Sequence, residues 1–348
     1  MLQLSQRPLT ASDADMDLFV DREAEISGTL RSLALGLNVL ILGSRGSGRT
    51  SLLRRLSRDI NDAENLPSAV YVDGSAWPGP SDLVSAIRAA LGEDLRGEPR
   101  WDVVPKVSVL GSLVGGGYER VPNPRPPVLD ESDVRGMAAA EDTPTIVLVD
   151  GASPQAAHTI FGRFRDTLWE FPHRWVVTGD VDKGTQYLKP PADVFFETLI
   201  DLPDLSPGSA HELLQRRVQA ASSDPDAGRL QPVLTQLVES VPTRTPRNLL
   251  TAARLTLLSG RGASAAIDAV AARQQRAAAL GRPAAMLYAE LEGLGPVHAG
   301  DERLLDRLGY TRPRVVQLLK ELEAEGLVES RSEGRRRIYS IPATGGVR

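Results

Sequence analysis

The chain has 348 residues, 41% of them hydrophobic and 24% charged, with a net charge of −5; that length implies about two or three domains and a real apolar core. The charge excludes a uniformly basic nucleic-acid binder, so any DNA contact has to come from a local patch. The lack of cysteine excludes disulfides, thiolate zinc sites and a cysteine nucleophile.

The four histidines are scattered, no apolar run approaches membrane-spanning length and the N-terminus shows no secretory pattern. The expectation is a cytoplasmic protein with no membrane partner. In chain order, Val39-Leu40-Ile41-Leu42 reads as a buried strand, and Leu52, Leu53, Leu56 and Ile60 follow at helical spacing. Between them runs Gly43-Ser44-Arg45-Gly46-Ser47-Gly48-Arg49-Thr50-Ser51. A glycine-rich turn between a strand and a helix N-terminus can wrap a phosphate chain with backbone N–H groups, and Gly43, Gly46 and Gly48 permit that backbone. The position of the phosphate-reaching lysine holds Arg49, a planar fork in place of a compact ammonium. The swap fits a composition with four lysines (Lys106, Lys183, Lys189 and Lys320) against 36 arginines.

Ala69–Asp73, Thr145–Asp150, Trp175–Gly179 and Thr198–Leu202 read as further strands, with helical periodicity over Leu83–Leu91 and Ala156–Leu168. The alternation predicts a P-loop α/β domain with a parallel sheet over 17–205, and puts Asp150 at the carboxyl edge beside the phosphates. The segment 92–142 is oversized for a connection. It reads either as a hairpin insertion with a linker or as an element facing a partner or DNA.

From 206 to 281 short helices form a bundle. Ser206 is an N-cap, and helices are expected near 233–238, 246–258 and 263–280. Gly281-Arg282-Pro283 breaks the chain before a third domain, 283–342. There, helices over 284–294 and around Leu304, Leu305 and Leu308 precede a helix over 312–325 and two strands, 327–329 and 337–341, in a winged helix-turn-helix pattern that resembles bacterial transcription regulators. Val315, Leu318, Leu319 and Leu322 form its buried stripe, leaving Arg312, Arg314, Gln317 and Lys320 outward for a major groove. Arg331, Arg335, Arg336 and Arg337 add basic side chains on the wing, suited to phosphate contact. Glu321, Glu323 and Glu325 on the same helix leave a second reading open, a solvated face on an intramolecular latch.

Together these motifs, from about Leu18 to Ile341, resemble the AAA+ ATPases, in the branch of origin-recognition initiators and STAND proteins. Phe19-Val20-Asp21-Arg22-Glu23-Ala24-Glu25 is similar to the family's F-V-G-R-E-x-E box, which implies an adenine-pocket role for Arg22; Asp21 departs from the glycine. The resemblance implies an α/β P-loop fold with a helical lid and a winged helix, and a nucleotide, ATP or ADP, with Mg²⁺. Arg49 takes the phosphate lysine's place, Thr50 and Ser51 follow it, and Thr50 and Asp150 are metal-side groups. Thr178 matches the first sensor and Arg247, in Thr245-Pro246-Arg247-Asn248, the second. Gly151 stands where many members carry the glutamate that activates water. That loss implies weak or absent hydrolysis unless Glu141, Asp142 or a neighbouring subunit substitutes. Arg163, Arg165 and Arg174 are unranked candidates for an arginine finger in a homo-oligomer. Duplex DNA is the expected partner, and 92–142 is open to a protein partner. A STAND-like assembly ATPase and a scaffold that has lost its nucleotide are the competing readings.

Overall fold

The computed structural model describes residues 4–77, 79–92, 101–110, 113–122, 129–140, 143–259, 272–301, 304–305, 308, 310–333 and 336–342. Two units separate by contact, Pro8–Pro203, and Asp204–Arg348 with Met1–Arg7.

In the first unit the strands are β1 (Val39–Gly43), β2 (Ala69–Asp73), the hairpin strands β3 (Trp101–Leu110) and β4 (Leu113–Pro122), then β5 (Ile146–Asp150), β6 (Arg174–Asp180) and β7 (Thr198–Leu202). Five of them form a parallel sheet in the order β2-β5-β6-β1-β7. β1 and β5 are buried along their whole length, as central strands covered on both faces must be. The expected strand at Thr198–Leu202 is present as an edge, paired with β1.

Successive side chains alternate across the sheet, and each face has its own core. Val39, Ile41, Ile146, Leu148 and Val176 pack with Leu33 of α1 (Glu23–Ala34) and with Leu52, Leu53, Leu56 and Ile60 of α2 (Arg49–Asn61). Leu40, Leu42, Val147, Val149, Trp175 and Val177 pack with Leu83, Val84 and Ile87 of α3 (Pro80–Ala90) and with Val134, Met137 and Ala138 of α4 (Glu131–Ala138). That last helix corrects the reading of 92–142 as wholly inserted. Asp130 and Asp133 close a capping box at its start, and its apolar side is part of the core. Among the described residues β3 and β4 pair only with each other. The stretch expected as one helix over 156–168 is three pieces, Pro154–Ala157, a π turn over His158–Arg163, and Arg165–Trp169. The π turn carries Ile160 and Phe161 into the core, where Phe161 meets Trp175, Phe195 and Phe196 at ring separations of 5.2–5.4 Å.

The second unit is helical first: α5 (Pro207–Ala220), with Ser206 as its N-cap, then α6 (Leu234–Ser240) and α7 (Pro246–Ser259). The amino half of the helix expected over 263–280 lies outside the described residues, as do Glu141, Asp142 and Arg335. α8 (Arg282–Leu294) and α9 (Arg312–Ala324) pack through Leu287, Leu291, Val315, Leu318, Leu319 and Leu322, beside an antiparallel sheet of β8 (Val297–His298), β10 (Arg336–Ser340) and β9 (Glu329–Glu333). Gly326 takes φ 65°; its N–H reaches Glu323 O at 3.0 Å and that of Leu327 reaches Leu322 O at 2.9 Å. This is a Schellman end, in which Leu327 packs back on the helix, so Leu327 and Val328 belong to the helix exit and the strand begins at Glu329.

Phe161→Ala should lower the unfolding free energy of the first unit by about 3–5 kcal/mol, read by urea denaturation. Trp77→Ala, at a side chain 46% exposed, should change it by less than about 1 kcal/mol.

Candidate functional site

Gly43 ends β1 between Asp180 and Leu202, and the chain then loops to α2 through Gly46 at φ 83° and Gly48 at φ 98°. Those left-handed angles favour glycine. A Cβ on Gly43 would lie 2.5 Å from Ser47 Oγ and 3.3 Å from Arg49 Cγ, so the loop folds back over the strand end with no room for a side chain. Gly48 caps α2 without a side-chain acceptor. The amides of Arg49, Thr50 and Ser51 open the helix and have no carbonyl within it. Ser47 Oγ is buried without a hydrogen-bond partner. A cradle of amides, an orphaned hydroxyl and a helix N-terminus fits an anion of phosphate size. Thr50 is half-buried. The Ser51 hydroxyl accepts from Leu9 N–H at 3.1 Å, and Arg54 donates to Leu9 O at 3.0 Å, which straps the preceding segment over α2. Arg49 is half-buried, and its charge acts on Tyr187, whose hydroxyl burial pushes up to about 12 against that of Arg49.

Asp150 sits two strands from β1, 7% exposed. Tyr71 Oη donates to its Oδ2 at 2.8 Å and Thr178 Oγ1 to its Oδ1 at 3.0 Å; Thr178 Oγ1 in turn accepts from Gly151 N–H at 2.8 Å. Burial first, and then the Asp150 charge, hold the Tyr71 hydroxyl well above its ordinary range, so it stays a donor. Thr178 is fully buried. Its hydroxyl donates to Asp150 and accepts from Gly151 N–H, which places it beside the carboxylate at the end of β5. Gly151 itself has φ 73°, and a Cβ there would lie 3.3 Å from that of Ser75. Among the described residues no three His, Asp or Glu side chains converge as a metal cage. A hard cation at Thr50 and Asp150 would therefore draw its other oxygens from water and phosphate.

Asp21 and Arg22 both take left-handed angles, φ 66° and 81°. Aspartate tolerates that region better than most residues, and Asp21 Oδ1 accepts from Arg22 N–H at 2.8 Å. This is the backbone reason that an aspartate can occupy a glycine position. Arg22 is 5% exposed and its guanidinium meets Glu25 at 3.0 Å and Pro203 O at 2.7 Å, so it pins the start of α1 to the exit of β7. Arg247 is half-buried in the first turn of α7, behind the cap from Asn248 N–H to Thr245 Oγ1. Of the finger candidates, Arg165 donates to Asp166 and Pro191 O, Arg174 begins β6 at the amino edge and donates to Pro172 O and His173 O, and Arg163 lies exposed over Phe164.

On α9, Arg312, Arg314, Gln317 and Lys320 are exposed. Arg314 donates to Gln317 at 2.8 Å, which donates to Glu321 at 3.0 Å. Arg337 pairs with Glu323 at 2.8 Å and donates to Ser330, while Arg331 pairs with Glu333 at 2.7 Å. Hydrogen bonding from Ser330 first, then Arg337, keeps the Glu323 carboxyl below its ordinary range. Arg336 stands opposite Glu333 in the strand register. Arg331 of β9 and Arg337 of β10 thus carry internal partners that the sequence pattern had not shown.

Sequence reasoning missed Tyr71 and Ser47. The signal for Tyr71 is its place on the face of β2 that its parallel neighbour β5 shares with Asp150, since Asp73 stands opposite Asp150 and Tyr71 opposite Leu148.

A glycine-rich loop after a strand flanked by β6 and β7, with Asp150 ending β5 on the far side of β6, is the arrangement of the AAA+ fold. Among solved structures the chain is similar to the Aeropyrum pernix ORC1 protein in complex with DNA, at 18% identity and a TM-score of 0.50, covering 94% of this chain and 90% of that one; the likeness shows the fold. The Aeropyrum pernix ORC2 protein (ADPNP-ADP complexes; 14% identity, 96% and 91% covered, TM-score 0.46) and Cdc6p from Pyrobaculum aerophilum (15%, 94% and 93%, 0.45) match more loosely. No family model and no curated protein matches the sequence. No helix among the described residues is long and apolar enough to cross a membrane.

Thr178→Val should cost about 1–3 kcal/mol of stability, because it strands the part-buried Gly151 N–H and one oxygen of the buried Asp150; Thr178→Ser should recover most of it, both read by thermal and urea unfolding.

Proposed function

We propose that the chain binds ATP or ADP with Mg²⁺, hydrolyses it weakly or not at all, and uses the nucleotide state to position a DNA-binding winged helix. The observation that carries the nucleotide half is the loop from Gly43 to Ser51, with its left-handed glycines, its orphaned Ser47 hydroxyl and the open amides of α2. In this reading the loop amides and Arg49 hold the phosphates, Thr50 and Asp150 lie on the metal side, and Arg22 orders the box preceding α1. Bound Mg²⁺ supplies charge neutralisation on the phosphates. Arg247 serves as the sensor of the lid, as the resemblance implies. The weak hydrolysis rests on Gly151. Its left-handed backbone disfavours any side chain, so a general base has no ready place directly after Asp150.

The winged helix is 283–342, with α9 as the recognition helix and β9 and β10 as the wing. Arg312, Arg314, Gln317 and Lys320 stand on the side of α9 opposite its buried stripe, which supports DNA contact, and the ORC1 protein that shares the fold was solved with DNA. Arg337 reaches a phosphate only by leaving Glu323, so the helix contributes more to binding than the wing, where Arg335 and Arg336 complete the basic set. β3 and β4, paired only with each other among the described residues, are the element open to a protein partner or a further copy of the chain.

Calorimetry with Mg-ATP and Mg-ADP should show binding that Arg49→Ala weakens by about tenfold or more, the loss of a charge-assisted contact; no heat with either nucleotide overturns the reading. Gly151→Glu should leave phosphate release at the wild-type level and lower stability by about 1 kcal/mol; a gain in turnover would contradict the backbone argument. Duplex binding by fluorescence anisotropy should weaken steeply with salt, and Arg312→Ala or Lys320→Ala should each reduce the slope of log K against log salt by about 1. A salt-insensitive or absent association removes the DNA half.

A further inference from the structure

Asp150 is held from both sides before any ligand arrives. Thr178 reaches one oxygen from β6, and Tyr71 reaches the other from β2. The aromatic ring lies between two charges, with the Arg54 guanidinium of α2 5.7 Å from its centroid and the Asp150 carboxylate on its hydroxyl. Arg54 is itself fixed by Leu9 O. The exit turns of β2 and β5 are in close contact too: a Cβ on Gly74 would lie 3.0 Å from Val149 Cγ1 and 3.1 Å from both Asp150 O and Ala152 N. The backbone that carries Tyr71 is thereby fixed against the backbone that carries Asp150.

We infer that Tyr71 is a positioning residue that holds the Asp150 carboxylate for a water-mediated divalent cation, and so sets how strongly nucleotide binding depends on Mg²⁺. This rests on the nucleotide reading above. A carboxylate has about four lone-pair directions. Two are taken by hydroxyl donors on different oxygens, which fixes the plane of the group and leaves one direction on each oxygen for water. A carboxylate so engaged is a poor candidate for bidentate ligation and a good one for ordering the water shell that Mg²⁺ retains. Partners that orient a group serving a metal commonly change metal affinity by about 10- to 100-fold when removed. Phenylalanine keeps the ring and its contact with Arg54, and deletes only the hydroxyl.

The test is nucleotide affinity measured with ADP in excess Mg²⁺ and in EDTA, for the wild-type chain, Tyr71→Phe, Asp150→Asn and the double variant. The wild type should bind more tightly with Mg²⁺, and Tyr71→Phe should lose about tenfold of that gain while its EDTA affinity is unchanged. In the Asp150→Asn background the Tyr71 change should have no further effect, because the hydroxyl acts through the carboxylate. Circular dichroism and thermal unfolding of all four chains separate these outcomes from misfolding; should Tyr71→Phe not fold, the same comparison with Arg54→Met, which frees the ring on its other side, is expected to show a smaller loss of the Mg²⁺ gain. An unchanged Mg²⁺ gain in either variant, an equal fall in Mg²⁺ and EDTA, or a wild type indifferent to Mg²⁺ overturns the inference and leaves the nucleotide reading in place. A wild type that binds ADP in neither condition overturns both.

Discussion

A carboxylate buried at the end of a parallel strand has to be hydrogen-bonded, since an unpaired buried charge is the most expensive group a fold can carry. At Asp150 that requirement organises the edge of the sheet. Thr178 and Tyr71 approach from the strands on either side, Gly151 N–H closes back on Thr178, and the exits of β2 and β5 press together around Gly74. The order β2-β5-β6-β1-β7 places Asp150 two strands from β1 and its loop, with β6 between them. The Gly43–Ser51 loop and the acid therefore stand on separate strands of one sheet, the loop with its orphaned Ser47 hydroxyl and the acid with both oxygens hydrogen-bonded.

The departures from the AAA+ pattern look different once the backbone is known. Asp21 and Gly151 both occupy left-handed positions. At the first, a residue with a short polar side chain replaces glycine and bonds the next amide; at the second, glycine replaces a glutamate that such a backbone would strain. Arg49 is a departure of another kind, because Cγ of its side chain fits beside Gly43 and its charge remains; only the reach and the planarity of the head differ.

Much of the architecture was legible in the residues because buried parallel strands are short continuous apolar runs, as at β1, β5 and β6, whereas the edge strands β2 and β7 are only partly buried and β7 is interrupted by Asp201. Asp150 was legible for the same reason, as the acid that ends such a run. The clamp was not, because Tyr71 and Thr178 lie 79 and 28 residues from Asp150 in sequence, and only the register Tyr71↔Leu148 brings the hydroxyl to the acid. The helix Glu131–Ala138 escaped because eight residues give little more than two turns, with Val134, Met137 and Ala138 as their only deeply buried positions. In the C-terminal strands, Leu327 and Val328 have strand composition, yet the Schellman turn at Gly326 claims them for the end of α9.

The ion pairs of the second unit were also hidden from composition, and they change how its charge acts. A count of arginines assigns the wing a strong positive potential, but Arg337 and Arg331 are each compensated within 3 Å by Glu323 and Glu333. Exposed pairs of this kind contribute little to stability, on the order of 0–1 kcal/mol, so they do not explain the fold of the wing. Their consequence is for recognition: a phosphate that draws Arg337 away has to replace a carboxylate held by Arg337 and Ser330 together, whereas Arg312 and Lys320 carry no such ion pair among the described residues. Among the described residues the positive charge left without an ion pair therefore lies on α9, at Arg312 and Lys320, rather than at Arg331 or Arg337 of the two strands.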